Sequence, residues 1–142
     1  MSTSSLSTSS SSSSSSTSQF RSLLSTAAAA GIAASVVTTA VAAAARAADV
    51  SLDVDGQAIP LSAFPWWTLV ATMVGVVLAR LVGDPRRFIT ITLVATALSL
   101  VPAIALPDDT ATRLTLVAAH LSAAAIVIPA LARKLGPGTP VS

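Results

Sequence analysis

The feature that most constrains this chain is an apolar run over residues 114–131, LTLVAAHLSAAAIVIPAL, which is long enough to cross a bilayer and carries the only histidine. Three runs of similar length precede it, so the four predicted helices lie at about residues 23–45, 66–82, 86–106 and 112–132. Each is close to the roughly 20 residues that span a hydrocarbon core of about 30 Å. A backbone in lipid must satisfy its own amides, and apolar runs of this length do so as helices. Two of the three connections are short, which predicts an all-α membrane protein folded as an up-down-up-down bundle. Charged residues make up 10% of the 142 residues, against roughly 25% in an average soluble domain, so lipid is the expected solvent for most of the surface.

The connections carry the polar information. Residues 1–22 are dominated by Ser and Thr, with an unbroken serine run from Ser9 to Ser16, and are expected to form a disordered cytoplasmic tail. Arg21 before an apolar stretch ending Ala43-Ala44-Ala45 also resembles a secretory signal, with a mature product starting near Ala47. The run exceeds the usual signal core of about 7–15 residues, which favours a retained helix. The long connection after Arg46 contains Asp49, Asp53 and Asp55. Its Asp55-Gly56 dipeptide suits a type I′ turn, which predicts a small hairpin. The three aspartates lack the full spacing of a calcium loop.

Trp66 and Trp67 stand at the start of the second helix, where indole rings anchor at the membrane interface. Gly83 is suited to end that helix. Asp84 and Pro85 are an N-cap and first-turn proline for the third, and Asp109 is a capping carboxylate for the fourth. Arg86 and Arg87 enter the third helix, and Arg133 and Lys134 close the fourth before a tail, residues 133–142, expected to be mobile. Arg21, Arg80, Arg86, Arg87, Arg133 and Lys134 share one side, opposite Arg46, Arg113 and five of the six aspartates. Basic residues in short loops stay on the cytoplasmic side, so both termini are expected there, in a multi-pass protein of the bacterial cell membrane.

Packing between helices in lipid relies on small residues that let backbones approach. Four-residue spacings provide them at Gly31, Ser35, Thr39 and Ala43; at Ala71, Gly75 and Ala79; at Ala95, Ser99 and Ala103; and at Ala118 with Ser122 or Ala119 with Ala123. At the depth of His120, the other helices place Thr38 and Thr39, Thr72, and Ser99, forming an expected polar layer. Pro102 cannot donate to the Leu98 carbonyl, which adds a free acceptor beside Ser99, and Pro129 does the same for Ala125. In the bland reading His120 is neutral and bonds Ser99, a threonine or the freed carbonyl. In the functional reading it is a protonatable or ligand-binding group in a small cavity, because ionisable residues within a membrane are functional candidates.

The same residues set limits. Cysteine and glutamate are absent, and no aspartate falls within a predicted span. One histidine cannot build a multi-histidine metal or haem site, so no metal or cofactor is expected. No nucleophile–base pair or paired carboxylates lie in the spans, which argues against an enzyme. The net charge of +2, with no basic cluster longer than Arg86-Arg87, argues against nucleic acid. The expected partners are the lipid bilayer and a homo-oligomer or another membrane protein.

The blocks GIAASVVTTAVAAAARAADVSLDV, TLVATMVGVVLARLV and ALSLVPAIALPDDTATRLTLVAAHLSAAAIVIPALAR resemble a family of small four-helix actinobacterial membrane proteins of unknown function. The matching motif positions are Ser99, Leu100, Val101, Pro102, Asp109, Thr110, Ala111, Thr112, Arg113 and His120, and the resemblance covers about residues 26–134. Ala119 departs from the methionine common before the histidine. The resemblance implies a four-span protein and brings no activity. The leading expectation is a non-enzymatic structural or partner-binding role, followed by a small carrier or a ligand or proton sensor centred on His120.

Overall fold

The computed structural model describes residues 12–136. Four helices, α1 (Ser12–Ala47), α2 (Ala63–Val82), α3 (Pro85–Ala105) and α4 (Thr110–Ala132), alternate in direction, with a two-stranded hairpin, β1 (Asp53–Val54) and β2 (Gln57–Ala58), between α1 and α2. All four are long and apolar enough to cross a membrane.

The second, third and fourth helices fall within three residues of their expected bounds. The first does not, because α1 begins at Ser12 rather than near Leu23. Much of the expected disordered tail is therefore helical, and residues 1–11 lie outside the described region. Once a helix is nucleated, each further residue gains one hydrogen bond for one residue ordered, and serine's propensity falls only modestly below alanine's. At 1.5 Å per residue α1 is about 54 Å long, well beyond a hydrocarbon core of about 30 Å.

The helix ends follow local chemistry. The Asp84 carboxylate accepts from Arg87 N–H at 2.8 Å, with Pro85 in the first turn of α3. The Asp109 carboxylate accepts from Thr112 N–H, also at 2.8 Å. Gly83 ends α2 at φ 67°, and its N–H donates to the Ala79 carbonyl. Asp55 and Gly56, at φ 52° and 70°, make the hairpin turn with the positive φ at both central positions that a type I′ turn requires.

Two apolar clusters close the bundle ends. At the basic end Leu23, Ala27, Val76, Ala79, Phe88, Leu131 and Ala132 pack together. Arg80 lies over the Phe20 ring there, 4.4 Å from its centroid, joining α2 to α1 by a cation–π contact. The expected mobile tail is partly built into this end. Leu135 N–H donates to the Ala132 carbonyl, and its side chain packs on the cluster, while residues 137–142 lie outside the described region. At the opposite end Ala42, Leu52, Phe64 and Ala119 form the second cluster.

The connection after α1 is a fitted cap on that second cluster. Leu52 is completely buried although its φ of 56° is one that a branched side chain rarely adopts. Its N–H donates to Thr112 Oγ1 at 3.1 Å, and its carbonyl accepts from Ile59 N–H at 2.9 Å. Ser51 donates to Asp109, Gly56 N–H to Asp108, and Arg46 to the Ile59 carbonyl. The Thr112 hydroxyl and N–H, with the Ser51 hydroxyl and Ala111 N–H, hold the Asp109 carboxyl below the usual carboxylate range.

The expected small-residue stripes are only partly the packing faces. Gly31 and Ser35 are buried, but Thr39 is half-buried, Ala43 is exposed, and the buried series continues through Thr38 and Ala42. Ala71 and Ala95 are exposed, and on α4 the face runs through Ala119 rather than Ala118. Positions four apart drift about 40° around a straight helix, so a real face alternates steps of three and four.

Candidate functional site

The helices do not close evenly. α1 packs along α2 and α4, and α4 along α3, while α2 and α3 touch only sparsely. The two-residue link at Gly83 and Asp84 keeps α2 and α3 together at the basic end, and each then follows its own partner. Between them lies a cleft of about 660 Å³, with α4 as its floor. Phe88 and Leu131 line it toward the basic end, and Val54, Ile59 and Phe64 toward the capped end.

Four of the five residues of the expected polar layer, His120, Ser99, Thr72 and Thr38, line this one cleft. Thr39 does not. It is half-buried, and its hydroxyl donates to the Ser35 carbonyl at 2.7 Å, because consecutive helical residues point about 100° apart. Sequence depth alone also missed Thr68, Thr92 and Thr96, which line the same walls. Their signal was present in the spacing, since Thr68 with Thr72 and Thr92 with Thr96 are four apart on one helix.

The histidine's partner differs from every one anticipated. His120 Nδ1 lies 2.9 Å from the Leu116 carbonyl on its own helix, and a carbonyl can only accept, so Nδ1 carries the proton. In the neutral ring Nε2 is then an acceptor. Ser99 donates to the Thr96 carbonyl at 2.7 Å. Neither kink residue contributes: Pro102 is exposed, and Leu98 and Ala125, whose carbonyls the two prolines free, do not line the cleft.

The other hydroxyls behave like Ser99. Thr68 lies 2.7 Å from the Phe64 carbonyl, Thr72 2.8 Å from Thr68, Thr92 2.8 Å from Phe88, and Thr96 2.8 Å from Thr92. Thr38 and Thr68 hydroxyls also meet at 3.1 Å across the α1–α2 contact. Outside the Thr38–Thr68 pair these bonds direct the hydroxyl protons into helix backbone, so the walls offer mainly lone pairs. Among the described residues no charged side chain lines the cleft, and no group of three or more His, Asp or Glu could hold a metal ion.

Trp66 and Trp67 are about two-thirds exposed in the first turn of α2, and Trp67 also lines the cleft. Arg86, Arg87, Arg133 and Lys134 are exposed at the opposite end. Large apolar side chains such as Leu81, Leu98, Val101 and Leu114 are exposed along α2, α3 and α4, as lipid-facing positions would be.

The fold and site define a class: a small four-helix protein with bilayer-length apolar helices, an ordered polar cap at one end and a cleft between its second and third helices. Within that class the chain belongs to the family of unknown function DUF6069, which matches residues 18–137. Comparison with curated proteins and with solved structures gives no match.

Proposed function

We propose that this is a non-enzymatic integral protein of the bacterial cell membrane, with both termini cytoplasmic, that acts by binding a partner within the bilayer. The observation that carries the reading is the seam between α2 and α3. The chain's only histidine lies on its wall, in a protein whose other neighbouring helices pack closely. The gathering of Arg80, Arg86, Arg87, Arg133 and Lys134 at one end and the hairpin at the other supports the orientation, because basic short loops remain inside. The cleft volume falls in the range of about 300–1,000 Å³ typical of small-molecule sites.

A second reading, a carrier or sensor centred on His120, is favoured by one detail: its Nδ1 is bonded while Nε2 has no protein partner among the described residues. Native mass spectrometry of protein extracted from its own membrane tests the first reading. Wild type retains a bound mass that Ala95→Trp, which fills the cleft from an exposed position, does not. Bare wild-type monomer overturns it. Uptake into liposomes under a pH gradient, lost in a His120 variant, would move the assignment to the carrier.

A further inference from the structure

Resting on the reading of the cleft as a binding site, we infer that its ligand is an uncharged long-chain molecule with one O–H donor, of the fatty-alcohol or prenol kind. The O–H bonds His120 Nε2.

The polarity of the wall decides the headgroup. Thr72, Thr92, Thr96 and Ser99 all aim their protons at backbone carbonyls 2.7–2.8 Å away, and His120 Nδ1 does the same at 2.9 Å. What remains toward the cleft is acceptor capacity. A phosphate or carboxylate would face lone pairs with no cation to neutralise it. An ammonium would be desolvated with no carboxylate, because no charged residue among those described lines the cleft. A neutral donor satisfies the wall.

Depth decides the rest. His120 lies ten residues into α4, about 15 Å along the helix, below the level at which a phospholipid keeps its headgroup. The surrounding lining is Val, Leu, Ile, Ala and Phe, which suits an apolar body. The end walls, Phe88 with Leu131 and Val54 with Ile59 and Phe64, argue against a helix from a second copy. Such a helix would need a groove open over the full bilayer depth of about 30 Å.

Fluorescence tests this directly, because Trp66 and Trp67 are the only tryptophans and Trp67 lines the cleft. The detergent-solubilised full chain is titrated with a brominated long-chain alcohol and, separately, with its methyl ether, which has the same apolar body and no donor. The expected result is saturable quenching by both, with the alcohol effective at a concentration about two- to ten-fold lower, the worth of one neutral hydrogen bond. In His120→Phe the two probes become equivalent while saturable quenching persists. Equal action of the two probes on wild type overturns the donor assignment and leaves a binding cleft standing. Non-saturable quenching by both, unchanged in Ala95→Leu, overturns the cleft as a site. A stoichiometric dimer cross-linked through introduced cysteines at Ala71 and Ala95 assigns the cleft to a second copy and overturns the inference as well. The wild-type comparison needs no variant to fold.

Discussion

Leu52 and Thr112 are joined by a 3.1 Å hydrogen bond from the Leu52 N–H to the Thr112 hydroxyl, which in turn donates to the Asp109 carboxylate. Sixty residues apart in sequence, both are completely buried. Through them the connection after α1 is held on the first turn of α4, and a left-handed leucine is kept in place by contacts on several sides.

Removing the Thr112 hydroxyl should loosen that cap. Thr112→Val keeps the shape but leaves the Leu52 N–H buried without a partner, a loss of about 1–3 kcal/mol. Thr112→Ser should retain most of the stability. Thermal unfolding in detergent and the rate of proteolysis between residues 48 and 62 measure the effect, and an unchanged rate in Thr112→Val would show that the bond is not what holds the loop.

The same clamp should depend on pH in one direction. Because the Asp109 carboxyl is held below its ordinary value of about 3.9, its contribution is complete above that value and is lost as the pH falls through the depressed folded value. Loop protection should therefore be flat from neutral pH to about 5 and fall only in stronger acid. Asp109→Asn should flatten the acid limb, and a wild-type loss centred near pH 6 would point to another group.

Gly31 lies tightly against α2, since a Cβ there would lie 3.2 Å from Thr72 Cγ2 and 3.4 Å from its hydroxyl. Gly31→Leu should destabilise by about 1–3 kcal/mol through overpacking. Gly31→Ala should be close to neutral, its helix propensity offsetting the tight contact. Equal melting temperatures for Gly31→Leu and wild type would mean that the helices are free to separate.

The Thr38–Thr68 hydroxyl pair should couple weakly. A double-mutant cycle with Thr38→Val and Thr68→Val is expected to give about 0.6 kcal/mol, the typical value for polar pairs between membrane helices. A coupling above about 2 kcal/mol would make this pair the main tie between α1 and α2, which the Gly31 contact argues against.

Orientation can be read from single cysteines, because the chain has none of its own. A cysteine at Asp55 should react with a membrane-impermeant maleimide in intact cells. One at Arg86 should react only after permeabilisation. The reverse pattern would invert the proposed topology, and a mature mass beginning near Ala47 would show that α1 is cleaved.

Features set by near neighbours are legible in the sequence. Asp84, Asp109 and Gly83 act through bonds within one helical turn, and Asp55-Gly56 imposes its turn through two residues' backbone preference. The polar layer was legible as a depth, since rise per residue is constant, but not as a direction. Thr38 and Thr39 share that depth, and only packing separates them. Leu52 carried no signal, because its role depends on Thr112 sixty residues away.

The number of helices, the lengths of the last three and their alternating charge were determined by the sequence alone, since hydropathy and length answer to the thickness of the bilayer. Which faces meet, and that α2 and α3 part to open a cleft beside His120, were decided only in the tertiary structure. A helix that is apolar all round has no stripe to mark its inner side, and lipid is as apolar as a neighbouring helix. The choice falls to close fits such as Gly31 against Thr72 and Gly75 against Leu131, which exist only once the helices are side by side.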